Sequence, residues 1–86
     1  MINLPHRLVR IFVTASDEKL KEFFSHLTNK GIPCEGIEIS TLTLTSVALR
    51  KISFRVPTGT AISFDIVNEC LFAADLRSGH IYIEKT

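Results

Sequence analysis

Leu8-Val9-Arg10-Ile11-Phe12-Val13-Thr14 is followed almost at once by Ser16-Asp17-Glu18-Lys19-Leu20-Lys21-Glu22-Phe23-Phe24-Ser25-His26-Leu27, and across that join the hydrophobic period changes. In the first stretch Val9, Ile11 and Val13 alternate with Arg10, Phe12 and Thr14. That period of two, in β-branched residues, marks a strand with one buried face. In the second stretch Leu20, Phe23, Phe24 and Leu27 fall at i, i+3, i+4 and i+7, one stripe of a helix. Ser16 or Asp17 can cap its start, and Glu18 suits the positive end of the helix dipole. Gly31 supplies a left-handed C-cap, and Pro33 prevents the helix from resuming.

Downstream the alternation is less regular. Gly36-Ile37-Glu38-Ile39-Ser40 carries its apolar residues at odd positions while Leu42 and Leu44 are even, which predicts a bulge or turn near Ser40-Thr41. Val47 and Leu49 are odd, whereas Ile52, Phe54 and Val56 are even, which predicts a second irregularity near Arg50-Lys51. Pro57-Thr58-Gly59 reads as a turn with proline at its first corner. Ile62, Ile66, Val67, Cys70, Leu71 and Ala74 then line a helical stripe, with Asp65 and Glu69 outward, so Ser63 to Ala74 is a second helix. Ser78-Gly79 reads as the last turn, before the alternating strand His80-Ile81-Tyr82-Ile83-Glu84. Strand, helix, strand, strand, helix, strand is the split βαβ order of the ferredoxin-like fold. The expected architecture is therefore α+β: a two-layer sandwich, with an antiparallel sheet and two helices on one face. Function is expected on the uncovered sheet face, the loops or an edge.

Composition narrows the classes. At 86 residues and 9.6 kDa the chain makes one domain, residues 1–86, with a single core. A hydrophobic fraction of 45% against 22% charged, and a mean hydropathy of +0.24, exclude intrinsic disorder. No apolar run approaches the roughly 18 residues needed to span a bilayer, and Met1 to Arg7 lack the pattern of a signal peptide, so an intracellular protein is expected. A net charge of +1 and a pI near 7.8 give none of the basic surplus that announces a nucleic-acid partner by itself. Cys34 and Cys70 stand 36 positions apart with no second cysteine beside either, so they are read as free thiols, and no metal site is expected. His6, His26 and His80 are scattered and read as surface residues.

Two stretches resemble parts of RNA recognition motif domains. Ile11-Phe12-Val13 is similar to their second RNP motif, in which an aromatic stands on the open sheet face. A ring held there stacks on an unpaired base for roughly 1 to 3 kcal/mol. Arg50-Lys51-Ile52-Ser53-Phe54-Arg55-Val56 resembles the other RNP motif in its leading basic residue and central phenylalanine, with Lys51 in place of glycine and Ile52 in place of the first aromatic. If Ile52, Phe54 and Val56 face the core, then Lys51, Ser53 and Arg55 join Arg10 and Phe12 outside, and Tyr82 can add a second ring.

A longer resemblance runs from Leu8 to Ile83. The opening strand, the helix ending in Lys30-Gly31-Ile32-Pro33, the β-rich middle and Lys51-Ile52-Ser53-Phe54-Arg55-Val56-Pro57 are similar to the RRM-like domain in first open-reading-frame proteins of LINE-type retrotransposons. The tryptophan-proline pair common before the last strand of that family is replaced here by Leu71 to Leu76. The resemblance implies a nucleic-acid-binding or self-assembly module. Nucleic-acid binding to single-stranded RNA or DNA, through Arg10, Phe12, Lys51, Arg55 and Tyr82, is the first functional expectation.

The alternative is a protein-interaction or homo-oligomerisation module that uses the sheet face or an edge strand, with Thr41-Leu42-Thr43-Leu44-Thr45 as the candidate edge. Enzymatic readings rank lower. Thr14-Ala15-Ser16-Asp17 has no counterpart of the acylphosphatase phosphate loop, and there is no P-loop or G-x-G-x-x-G, so no catalytic residue and no cofactor is assigned. Small-molecule regulatory domains of the ACT type share the topology, but the glycine usual between their first strand and first helix is missing, which places them third.

The alternation makes one sharp prediction. Phe54 keeps step with Ile52 and Val56, and Phe12 with Arg10 and Thr14, so the two rings belong on opposite faces of the sheet. Phe54→Ala is expected to cost about 3 to 5 kcal/mol and Phe12→Ala much less, by thermal or denaturant unfolding. An unchanged melting temperature for Phe54→Ala contradicts this register.

Overall fold

The computed structural model describes residues 6–44 and 47–85. The elements run β1 (His6–Val13), α1 (Asp17–Asn29), β2 (Glu35–Leu44), β3 (Val47–Pro57), α2 (Phe64–Ala73) and β4 (Ser78–Ile83). One four-stranded sheet has the order β2-β3-β1-β4, and every neighbouring pair is antiparallel. This is the ferredoxin-like βαββαβ sandwich that the sequence predicts.

The core follows from strand register. Val9 stands opposite Phe54 and Ile83, and Ile11 opposite Ile52 and Ile81, so adjacent strands present their apolar residues at the same level. Leu20, Phe23 and Leu27 of α1 and Val67, Cys70 and Leu71 of α2 close over that layer, and no polar side chain is buried among the described residues. Phe24 meets Phe54 edge to face, with centroids 5.5 Å apart. Such aromatic pairs contribute about 0.5 to 1.5 kcal/mol beyond the area they bury. Phe54 is fully buried, and Phe12 is half-buried on the opposite face with its ring centroid 6.3 Å from that of His80, so the register expected from the alternation holds.

Both helices begin and end by the same chemistry. Ser16 Oγ accepts from Lys19 N, and Ser63 Oγ accepts from Ile66 N, each at 3.3 Å. At the C-termini, Ile32 N donates to Leu27 O and Gly31 N to Thr28 O, while Leu76 N donates to Leu71 O and Asp75 N to Phe72 O. These are two Schellman motifs, each with its C″ side chain, Ile32 or Leu76, buried. The motif requires a left-handed residue at C′. Gly31 supplies it at φ 79°, whereas the second helix uses Asp75 at φ 60°.

Four local expectations are corrected. There is no reversal at Ser40-Thr41, because β2 pairs with β3 without interruption from Glu38 to Leu44. The irregularity lies earlier, between Glu35 and Glu38, where Gly36 adopts φ 60°. The apolar residues of β2 change sides because the strand lies at the sheet edge, beyond the cover of the helices. Ile37 and Ile39 are exposed on the helix side, and Leu42 on the other. Nor is there a break at Arg50-Lys51. Arg50 occupies a helix-side position at the rim, where its guanidinium donates to Asp17 Oδ1 at 2.7 Å and Ala15 O at 3.3 Å. Ser78-Gly79 lies inside β4, beside a register slip between Phe12 and Val13, and the turn before it falls at Ala74-Asp75. Pro57 is the residue before the first corner of its turn, since its carbonyl accepts from Thr60 N at 3.0 Å, and Gly59 takes the φ 101° corner. Of the proposed edge segment, residues 41–44 lie in β2, and Thr45 is outside the described residues.

Asp75 gives a test. A left-handed conformation costs an L-residue roughly 1 to 2 kcal/mol, aspartate at the lower end. The exposed Lys19–Asp75 ion pair, at 4.0 Å, offsets little of that. Asp75→Gly is therefore expected to stabilise the domain by about 0.5 to 1 kcal/mol in denaturant unfolding, and Asp75→Val to destabilise it.

Candidate functional site

Strand alternation places all five residues singled out from the sequence on the open face. Arg10 stands between Ser53 and Tyr82, and Phe12 between Lys51 and His80, with Arg55 one pleat further along β3. Phe12 and Tyr82 are thus diagonal neighbours. Arg10, Phe12 and Lys51 are half-buried, while Arg55 and Tyr82 are exposed.

The same register brings carboxylates to this face. Glu35 is opposite Arg55, and Glu38 opposite Ser53, beside Lys51 and Arg55. Glu84 continues the outward side of β4, and its Oε1 accepts from Leu8 N at 3.2 Å. His6 Nε2 meets Glu35 Oε2 at 2.6 Å. Arg10, Lys51 and Arg55 therefore share their surface with three carboxylates. That balance of charges opposes the positive surplus on which a phosphate-binding groove depends. Alternation with Ile37 and Ile39 already turns Glu38 outward, whereas Glu35 reaches this face only through the bulge between Glu35 and Glu38, which the spacing of apolar residues does not reveal.

The second surface is a flank. Between α1 and β2 lies an open groove of ≈ 790 Å³, whose apolar lining is Leu20, Phe24, Ile37 and Ile39, with Asp17 and Lys21 on its rim. Ile37 and Ile39 are 45% and 42% exposed there, and Leu42, also 42% exposed, occupies the opposite face of the same strand. β2 has a neighbour on one side only. From Ile39 to Leu44 it carries no charge and no proline. On the far helix, Phe64 and Phe72 stand in solvent, Phe72 at 78% exposure, a feature that the α2 stripe reading did not single out.

The remaining chemistry is structural. Cys34 and Cys70 are free thiols, as expected. Burial, with a smaller contribution from Cys70, pushes the Cys34 thiol up to about 11. Burial likewise raises Cys70, against the opposing pull of Lys30. No group of three potential metal ligands occurs among the described residues, and none of their helices is long and apolar enough to cross a membrane.

Similarity to known proteins is confined to the fold. No family model matches the sequence, and no curated protein matches it. Among solved structures, the regulatory subunit of aspartate kinase from Thermus thermophilus, in its ligand-free form, superposes with a TM-score of 0.67 at 15% identity, over 95% of this chain and 52% of that one. A structure of aspartokinase alpha and beta subunits gives a TM-score of 0.63 at 13% identity, over 95% of this chain and 51% of that one. The chain spans about half the length of each. At these identities the likeness is one of fold alone.

Because the folded state holds Cys34 protonated, its contribution is complete below the ordinary thiol value of 9.0 and is lost as pH rises toward about 11. Denaturation midpoints across that window are expected to fall for the wild type, and to fall less for Cys34→Ala. Parallel curves for the two proteins refute the assignment.

Proposed function

We propose that the chain is a non-enzymatic protein-assembly module that presents its α1–β2 flank to another protein surface. One observation carries this reading: β2 is an edge strand with unpaired backbone on its outer side, exposed apolar residues on both faces, and an uncharged stretch from Ile39 to Leu44. Edge strands of stable monomers are normally guarded by lysine, proline, a bulge or an extreme shortness. Here the bulge guards only the start of the strand. Strand addition would satisfy the free N–H and C=O groups, and the groove beside Phe24 would accept apolar side chains from the added surface. The structural neighbours, a regulatory subunit of aspartate kinase and the aspartokinase alpha and beta subunits, support the same class.

Nucleic-acid binding is the second reading. It is favoured by the diagonal of Phe12 and Tyr82 beside Arg10, and opposed by the three carboxylates on that face. One set of measurements separates the two. A photocrosslinking residue in place of Ile37 is expected to give protein adducts in cells, and one in place of Phe12 to give few. Adducts at position 12 only, with salt-sensitive oligonucleotide binding in fluorescence anisotropy that Phe12→Ala abolishes, would reverse the order. No adduct at position 37 overturns the flank proposal.

A further inference from the structure

We infer that the surface added to β2 is a second copy of this chain, joined by antiparallel β2–β2 pairing about a two-fold axis at Thr41, so that two four-stranded sheets become one of eight. The inference rests on the assembly reading above and specifies its partner.

The bulge selects the segment. Between Glu35 and Glu38 the strand carries one residue more than β3 opposite it, so a regular outer ladder begins only at Glu38 and runs to Leu44. A two-fold pairing that uses the whole of that ladder is centred on its middle residue, Thr41. Residues opposite one another must share a face, which this centre satisfies: position 39 meets 43 of the second copy, 40 meets 42, and 38 meets 44.

Side-chain chemistry favours the same centre. Thr41 meets Thr41, and Ile39 meets a threonine position, both β-branched cross-strand pairs of the kind that stabilise antiparallel ladders. Glu38, the sole charge in the segment, meets a leucine position at each end of the ladder, where its carboxylate can turn to solvent. A two-fold centred on Glu38 would set two carboxylates face to face and leave Leu42 to Leu44 unpaired, which disfavours it. A foreign strand would need its own match to this uncharged threonine-rich edge, whereas the edge already matches itself.

The arrangement also closes. Pairing β2 of one copy with β4 of the next would leave a free β2 and a free β4 at the two ends and propagate into filaments, whereas β2 with β2 is isologous and stops at two. It brings the two α1–β2 grooves to either side of the axis, with Ile39 of both copies on the helix side.

The purified chain is expected to sediment at twice its 9.6 kDa at high concentration and to dissociate on dilution. At the axis, paired Cβ atoms lie about 5 Å apart. Thr41→Cys is therefore expected to give a covalent dimer on mild oxidation. Ile39→Cys, which the same geometry separates from its own copy by roughly 13 Å along the strands, should give none, nor should the wild type. Thr41→Lys is expected to be monomeric, and to melt with the wild type only at dilutions where the wild type is itself dissociated, because position 41 is exposed and the lysine costs the lone domain little. Adducts from position 37 with a different protein, without a Thr41→Cys dimer, would overturn the second-copy inference and leave the assembly reading standing. A dimer cross-linked through position 39 and not 41 would overturn the register. Monomer at every concentration, with no adduct at position 37, would overturn both.

Discussion

The apolar stripes of α1 and α2 close over β1, β3 and the inner side of β4, and they stop short of β2. Everything distinctive about the molecule follows from that incomplete cover. Val9, Ile11, Ile52, Phe54 and Val56 are fully buried, while Ile37 and Ile39, on the same side of the sheet, remain more than two-fifths exposed. Phe24 marks the boundary: its ring packs edge to face on Phe54 and also lines the groove that opens toward β2. A strand in this position pairs its backbone on one side only and leaves apolar side chains of either face in water.

The fold was legible because its deciding signals are local. A period of two that becomes a helical stripe, Ser16 or Asp17 at the start of that helix and a glycine after it are read directly from Leu8 to Gly31, and the structure bears these out with Ser16 as the cap. Burial pattern does not fix geometry everywhere. In β2 and the first half of β3, alternation of apolar residues is not alternation toward a core. The core does not extend over that end of the hairpin, so Leu42 and Leu49 can occupy the open side with no break in the ladder. Aspartate in the left-handed C′ position of α2 hid the second Schellman motif, which glycine would have announced.

The same limit governed the site. Five residues were assigned to the open face and all five are there, since the alternation of β1, β4 and the core half of β3 is regular. Of the carboxylates beside them, Glu35 comes from the bulged start of β2 and Glu84 from the residue after β4, where side can be assigned only once register is known. Long-range pairing, rather than the composition of any one strand, determines the charge of a sheet face.

The two surfaces differ in what leaving water costs them. On the open face, a ligand must displace solvent from charges that already have opposite neighbours, Arg55 beside Glu35 and Glu38, so much of any new attraction is offset by desolvation. At the β2 edge the groups to be desolvated are backbone amides and carbonyls, and an added strand returns a hydrogen bond for each one it takes from water, while burying isoleucine and leucine surface that water solvates poorly. Each net hydrogen bond contributes only about 0.5 to 1.5 kcal/mol, but a ladder makes several at once in a fixed geometry, without the phosphate-dependent term that a balanced charge distribution cannot supply. Neutral composition, which says little about partners when read as a total, therefore favours the edge over the face once the topology shows where the charges lie.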